Sequence, residues 1–132
     1  MNRPRLSLVI LRDLFAVCRF RADENIPSWA LSGSFSSLTR TPDELSIVCR
    51  QELVPDEVEA VGGWKSLRVE GKLDFNLVGI LSSLTSSLAE VGISVFAIST
   101  YDTDYLFVKE GDLDRGVAAL RKAGHDVSRS TL

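Results

Sequence analysis

Two carboxylates and several hydroxyl groups lie between two apolar runs in residues 98–108. Short oxygen-bearing side chains can hydrogen-bond their own backbone in a turn and still offer acceptors to a ligand. The segment therefore predicts a strand, a polar turn and a second strand. The turn is either a plain hairpin turn or one side of a site for a small polar ligand. The residues that would contact such a ligand are Thr100, Tyr101, Asp102, Thr103 and Asp104.

The segment before this turn carries the periodic apolar pattern of a helix. Its apolar face is predicted to consist of Leu77, Ile80, Leu81, Leu84, Leu88 and Val91. Its solvent side is predicted to carry Ser82, Ser83, Thr85, Ser86 and Ser87. Asn76 or Asp74 can cap the start, and Gly92 can end the helix. Gly79 is unusual inside such a pattern, because glycine there costs about 1 kcal/mol relative to alanine, and this predicts a close backbone approach.

The order of elements predicts a fold. A strand near Val69 precedes this helix, and strands at 93–98 and 105–109 follow it. A second helix is predicted at 113–123, capped by Asp112 and ended by Gly124, before a short strand at 125–127. This βαββαβ order is typical of a ferredoxin-like unit, in which two helices cover one face of an antiparallel sheet.

These residues resemble the ACT domains, small regulatory modules that bind amino acids. The resemblance rests on Val69 to Asp74, then Gly79-Ile80-Leu81, and then the helix end Leu88 to Val95. The segment from Ser99 to Tyr105 is similar to a subfamily of small bacterial two-unit ACT proteins, which resemble the CASTOR-type arginine sensors. Val78 departs from the pattern, because the commoner ACT sequence has proline immediately before the glycine.

The resemblance implies an α+β fold of two tandem ferredoxin-like, ACT-type units with antiparallel sheets. Residues 1–62 would form the first unit and residues 63–132 the second. Residues 38–48 can be aligned with 98–108 at an offset of sixty, although chance similarity of two hairpins is an alternative. The first half has no long helical pattern, and only residues 26–31 could be helical. We therefore expect a degenerate first unit.

The resemblance also implies where a ligand would bind. Backbone amides at Gly79 and Ile80 would receive a ligand carboxylate, because the start of a helix attracts anions. Asp104, with Asp102, would pair with the ammonium group or a cationic side chain. Further contacts would come from Asp74 and Phe75 in the loop and from Ser46, Ile47 and Val48 of the first unit. Arginine is the ligand that the acidic residues suggest.

Composition excludes several other classes. With 132 residues, a net charge of −3 and scattered Lys and Arg, the chain has neither a nucleic-acid surface nor an apolar run long enough to span a membrane. Two cysteines without CxxC spacing and one histidine give no metal motif, and no cofactor is predicted. Cys18 and Cys49 are expected to be buried thiols. His125 is expected to be a cation at the end of the second helix.

The predicted function is a cytoplasmic, non-catalytic sensor of an amino acid or a similar zwitterion. A chain of this kind would act as a homodimer, with side-by-side sheets burying strand edges, or through an unidentified protein partner. Two alternatives remain open at this point. One is a structural dimerisation or interaction module without a ligand, and the other is an enzyme that uses a thiol.

Overall fold

The computed structural model describes residues 5–71 and 78–130. Within these residues the chain forms eight strands and two α-helices, with short 3-10 turns at Ser28–Leu31, Gln51–Leu53 and Glu110–Asp112. The strands and helices are β1 (Ser7–Ile10), β2 (Phe15–Phe20), β3 (Ser36–Arg40), β4 (Leu45–Arg50), β5 (Ala60–Val69), α1 (Ile80–Glu90), β6 (Val95–Ser99), β7 (Asp104–Lys109), α2 (Leu113–Lys122) and β8 (Asp126–Arg129).

The chain divides into two units, and one of them is discontinuous in sequence. The helical unit consists of the described residues up to Arg12 and those from Lys65 onward, and the inserted unit is Asp13–Trp64. The predicted boundary after residue 62 lies two residues before the observed junction. Residues up to Arg12 group with the C-terminal half because β1 pairs with β5 and β8. Sequence order alone had assigned them to the first unit.

The helical unit has the predicted mixed α+β, ferredoxin-like architecture with one additional strand. Its sheet has the order β8-β1-β5-β7-β6, and both helices connect strands of this sheet. Strand β1 lies between β5 and β8, antiparallel to the first and parallel to the second. Leu8 is opposite Val69 on one side and Val127 on the other. An antiparallel sheet had been predicted. The observed sheet is antiparallel except that the additional strand β1 runs parallel to β8.

The two helices and the sheet of the helical unit enclose one apolar core. Leu84, Leu88 and Leu120 are fully buried in it. Gly116 lets the helices approach each other, because a Cβ atom there would lie 3.3 Å from Leu88 Cδ2. The buried members of this core are Leu8, Ile10, Leu67, Val69, Ile80, Leu84, Leu88, Ile93, Leu106, Val108, Leu113, Val117, Leu120 and Val127.

The predicted faces of α1 need two corrections. Ser83 and Ser87 are buried rather than solvent-exposed, and the Ser87 hydroxyl donates to the Ser83 carbonyl at 3.1 Å. A small side chain whose hydroxyl bonds to the preceding turn can be buried without an unmet donor. Val91, predicted to be on the apolar face, is 41% exposed because the helix ends at Glu90.

Both helices end as predicted, and in the same way. Gly92 and Gly124 have left-handed backbone angles, with φ of 74° and 102°. At each end the glycine N–H and the next N–H bond back to the last turn, which is the Schellman motif. The residue after the glycine is Ile93 in one case and His125 in the other. Asp112 precedes α2 as predicted, but its carboxylate accepts from Arg115 rather than capping the helix.

The inserted unit is a four-stranded antiparallel sheet without an α-helix anywhere in Asp13–Trp64, all of which the structure describes. Its strand order is β3-β4-β2-β5, with the first residues of β5 as the last member. The predicted short helix is the 3-10 turn Ser28–Leu31, so the unit is degenerate as expected. Its core consists of Ala16, Cys18, Ala30, Leu45, Ile47 and Cys49, covered by Phe20, Trp29, Leu38, Val54 and Val58.

Candidate functional site

The polar turn between β6 and β7 is a hydrogen-bonded hairpin turn of four residues. The Thr100 N–H donates to the Thr103 carbonyl at 2.8 Å, and the Thr100 hydroxyl both accepts from the Thr103 N–H and donates to the Thr103 carbonyl. Tyr101 and Asp102 form the tip and are exposed. The predicted strand-turn-strand is confirmed, and its tip presents a phenol and a carboxylate to solvent.

The same turn occurs in the inserted unit. There the Thr41 N–H donates to the Glu44 carbonyl at 2.9 Å, and the Thr41 hydroxyl accepts from the Glu44 N–H. Thr41 and Thr100 lie fifty-nine residues apart, so the turns coincide at an offset one smaller than the predicted sixty. Asp43 therefore occupies the place in one turn that Asp102 occupies in the other.

Thr103 joins the polar turn to β5, the strand that precedes α1. Its hydroxyl is buried and donates to the Val69 carbonyl at 2.7 Å. The Thr103 hydroxyl thereby holds the turn against the end of β5, and that it also contacts a ligand stays a prediction. Asp104 is half-buried, and its carboxylate accepts a hydrogen bond from the Ser99 hydroxyl. This bond orients the carboxylate and leaves further acceptor positions on it.

The start of α1 provides backbone donors rather than side chains. Gly79 is the residue that begins the helix, with a left-handed φ of 82° and no side-chain cap. The first amides of a helix have no carbonyl four residues earlier to accept from them. Ile80 contributes only such an amide, since its side chain is buried in the core. Asp74, Phe75 and the predicted cap Asn76 lie outside the described residues.

The glycine at 79 has a different physical reason from the one predicted. Among residues 5–71 and 78–130, a Cβ atom there would meet nothing within 4 Å, so no approach to the sheet in this part of the chain demands it, and a close approach to a ligand stays a prediction. The left-handed φ demands it, because a side chain in that conformation clashes with its own backbone. The residue is therefore at the boundary of the helix and not inside it.

Ser46, Ile47 and Val48 lie in β4 of the inserted unit. Ile47 is fully buried in the core of that unit, and Val48 is nearly so, whereas Ser46 is half-buried. The Ile47 side chain is therefore used in packing. That these residues contact a ligand stays a prediction.

The two cysteines are buried next to each other on one face of the inserted sheet. Cys49 is opposite Ala16 and Cys18 is opposite Ile47, so the thiols occupy diagonal positions of β2 and β4. Burial raises the pKa of both thiols, that of Cys49 to about 12, and the two thiols are hydrogen-bonded to each other. A thiol must ionise to act as a nucleophile, so neither cysteine is activated.

His125 differs from the predicted cation. Burial lowers its pKa, an effect that exceeds the opposing influence of the Asp126 carboxylate. Its Nδ1 atom accepts a hydrogen bond from the Leu6 N–H at 3.1 Å, which requires an unprotonated nitrogen. The sequence contained a signal for this: His125 takes the place after the terminal glycine that Ile93 takes in α1, and such positions usually pack against the last helical turn.

Among residues 5–71 and 78–130, no three His, Cys, Asp or Glu side chains come close enough together to hold a metal ion. Asp102 and Asp104 therefore have no third acidic neighbour in this part of the chain. In the same residues, no helix is both long enough and apolar enough to cross a membrane. The arrangement that the structure does provide is an anion-attracting helix start and a carboxylate-bearing turn, both connected to β5.

The fold and these elements define the chain as an α+β protein with a ferredoxin-like unit. A family model described as an ACT domain matches residues 59–122, and a second model, described as an N-terminal domain, matches residues 13–57. Residues 59–122 therefore belong to the ACT domain family, as the sequence had indicated.

Individual relatives agree with this assignment. The mouse protein named cytosolic arginine sensor for mTORC1 subunit 1 is 31% identical over 124 residues, which cover 84% of this chain and 34% of that protein. This chain thus spans about a third of that relative's length. The crystal structure of protein Atu0741 from Agobacterium tumefaciens has a TM-score of 0.93 and 39% identity, covering 98% of this chain and 97% of that one.

The regulatory subunit of aspartate kinase from Thermus thermophilus is similar in fold alone. Its TM-score is 0.63 at 8% identity, and the match covers 89% of this chain and 96% of that one. The likeness carries no information about individual site residues.

Proposed function

We propose that this protein is a non-catalytic regulatory protein that binds an amino acid in its helical unit. The observation that carries the proposal is the buried bond from the Thr103 hydroxyl to the Val69 carbonyl. It fixes the acidic turn to the end of β5, the strand that precedes α1 in the chain. Membership of the ACT domain family supports the same reading.

The two elements have complementary chemistry for a zwitterion. The start of α1, where Gly79 provides no side-chain cap, favours the carboxylate, because backbone N–H groups and the helix dipole attract negative charge. Asp104 favours the ammonium group, since hydrogen bonds between ions are stronger than those between neutral groups. Gly79 and Ile80 provide the donors, and Thr100, Tyr101 and Asp102 provide the outer contacts of the turn. Such an arrangement binds a ligand without a reactive group to transform it.

Arginine is the ligand that we test first. The mouse relative is named as an arginine sensor, and Asp102 at the exposed tip adds a second carboxylate for a guanidinium group. A sensor of this type acts through a homodimer or through a separate protein partner, and we place it in the cytoplasm, where the relative's name places that protein.

The structural module remains the second candidate function. Strand β6 pairs only with β7 among the described strands, and an edge of this kind can pair with another chain. A thiol enzyme has no support from the described residues, because the pKa of Cys49 is raised to about 12.

The first experiment is a thermal-shift screen of the purified protein against the twenty amino acids, followed by calorimetric titration with arginine. A ligand that binds the native state raises the melting temperature by mass action. Asp104→Asn should weaken arginine binding by about tenfold to a hundredfold, because a charge-assisted hydrogen bond contributes roughly 1.5–3 kcal/mol. Asp102→Asn should weaken it less, since the tip is exposed.

Asp43→Asn is the matched control for Asp102→Asn, because Asp43 occupies the place in the turn of the inserted unit that Asp102 occupies in the helical unit. Its affinity should equal that of the wild type. Full affinity in Asp104→Asn would refute the assigned site, and no shift with any amino acid would favour the structural module.

A further inference from the structure

Strand β1 is separated in the chain from the rest of the helical unit by the inserted unit, Asp13–Trp64. Hydrogen bonds and packing hold it in the sheet of the helical unit. The residue before it, Leu6, bonds through both of its backbone groups to the segment that follows α2. The Leu6 carbonyl accepts from the Asp126 N–H at 2.9 Å, and the Leu6 N–H donates to His125 Nδ1 at 3.1 Å. The second of these contacts, the Leu6–His125 bond, is the one that depends on a titratable side chain.

The surroundings of His125 favour one protonation state. The residue is 4% exposed, and its Nε2 atom is buried with no hydrogen-bond partner among the described residues. Since Nδ1 accepts from Leu6, the proton of the neutral ring is on Nε2. A second proton would have to go on Nδ1, where it would face the Leu6 N–H. Protonation therefore replaces a hydrogen bond by two opposed donors in a buried place.

The charged groups around the ring come from three segments. Arg5 lies before β1, Arg121 lies in α2 and Asp126 begins β8, and all three line the same surface cleft of about 450 Å³ as His125. Arg5 is paired with Asp126 at 2.9 Å, and Arg121 donates to the Val127 carbonyl at 2.8 Å. The Asp126 carboxylate, which is paired with Arg5, favours a charged ring, but burial of the ring outweighs this effect.

The end of α1 shows which residue suits the position after the terminal glycine when no bond like the Leu6–His125 bond is present. Ile93 follows Gly92 as His125 follows Gly124, and both side chains are 4% exposed. An apolar residue therefore satisfies the packing of a Schellman motif in this unit. Histidine at the second position adds a contact to Leu6 and, with it, a dependence on pH.

We propose that His125 is a pH-sensitive link that holds the start of β1 against β8, and that protonation of its ring releases this strand. The direction follows from linkage. Burial lowers the pKa of His125 below its usual value of 6.5. The unfolded chain therefore binds the proton first as the pH falls. The stabilisation is complete above about pH 6.5 and decreases as the pH falls from there toward the lowered pKa of the folded state.

The test is amide hydrogen exchange of β1 and β8 at about pH 5 and about pH 7.5, each corrected for intrinsic exchange, with NMR titration of the ring. The wild type should lose protection in Ser7–Ile10 and Asp126–Arg129 by about tenfold at the lower pH. Each pH unit below the ordinary histidine pKa of about 6.5 favours the state with a released, protonated ring by up to about tenfold. Protection in α1 should change less, because the residue after its terminal glycine is Ile93, which does not titrate.

Two variants separate this proposal from a general acid effect. His125→Gln keeps an acceptor that does not titrate, and His125→Ile copies the end of α1. Neither should show the loss of protection specific to β1 and β8. An equal loss in the wild type and in His125→Gln would overturn the proposal. NMR of the wild type can also overturn the proposal by itself, if the pKa of the His125 ring is at or above 6.5 or if Nδ1 carries a proton at neutral pH.

Discussion

The helical unit and the inserted unit contain the same hairpin turn on different supports. In each, a threonine hydroxyl bonds across a four-residue turn, at Thr41 in one and at Thr100 in the other. The helical unit covers its sheet with α1 and α2. The inserted unit covers its sheet with a 3-10 turn at Ser28–Leu31 and with side chains such as Trp29 and Val54.

This difference shows why an acidic turn alone does not define a ligand site. Asp43 and Asp102 are equally placed in their turns, but only the helical unit has a helix start to complement the carboxylate. Residues 13–64 contain no α-helix and so offer no array of free helical amides. The candidate site therefore belongs to the helical unit for two reasons. Only this unit has helices over its sheet, and Asp104, which we propose pairs with the ammonium group, has Leu45 at the equivalent place in the inserted unit.

The largest expected effect is in the core that the helices form. Leu88→Ala should lower the free energy of unfolding by about 2–5 kcal/mol, because a fully buried leucine leaves a cavity between α1 and α2. Urea unfolding monitored by circular dichroism measures the change. Val91→Ala, at a partly exposed residue beyond the helix end, is the control and should cost much less. A similar loss in both variants would contradict the assigned core.

Leu45→Ala makes the comparison in the inserted unit, where the residue is 1% exposed. Its cost should fall toward the lower end of the same range of about 2–5 kcal/mol, because a core covered by 3-10 turns and loops can collapse onto a cavity more easily than packed helices can. A larger loss than in Leu88→Ala would reverse this ranking of the two units.

A smaller effect is expected at the start of α1. Gly79→Ala should cost roughly 1–2 kcal/mol, since its left-handed φ is unfavourable for a residue with a Cβ atom. Thermal unfolding without ligand measures this strain. Gly111→Ala is the matched control, because that glycine precedes α2, has no positive φ and has open space around its Cβ position. It should be close to neutral.

The smallest effect is expected at the thiols of the inserted unit. Cys18 and Cys49 should not react with an alkylating reagent at about pH 8 in the folded protein, because burial and a raised pKa keep both protonated. Mass spectrometry after alkylation measures the modification, and denatured protein is the positive control. Rapid labelling of either cysteine in the folded state would instead support the alternative that the protein is an enzyme that uses a thiol.

Local sequence patterns predicted most of the helical unit. The apolar repeat located α1 and α2 to within a few residues, and the glycines at 92 and 124 correctly marked their ends. These features depend on neighbours in the chain, which a sequence displays directly. The order of these elements predicted the ferredoxin-like arrangement. The family resemblance added the placement of a ligand, for which Asp74 and Phe75 lie outside the described residues.

The sequence by itself determined the helices, their glycine ends and the hydroxyl-rich turn, because each follows from backbone preferences and nearby hydrogen bonds. Only the tertiary structure decided that β1 lies between β5 and β8, since pairing of strands distant in the chain leaves no local pattern. It also decided that the Thr103 hydroxyl donates to the Val69 carbonyl, and that His125 is buried and neutral. Each of these depends on which remote backbone group lies opposite the side chain, and that is set when the sheet assembles.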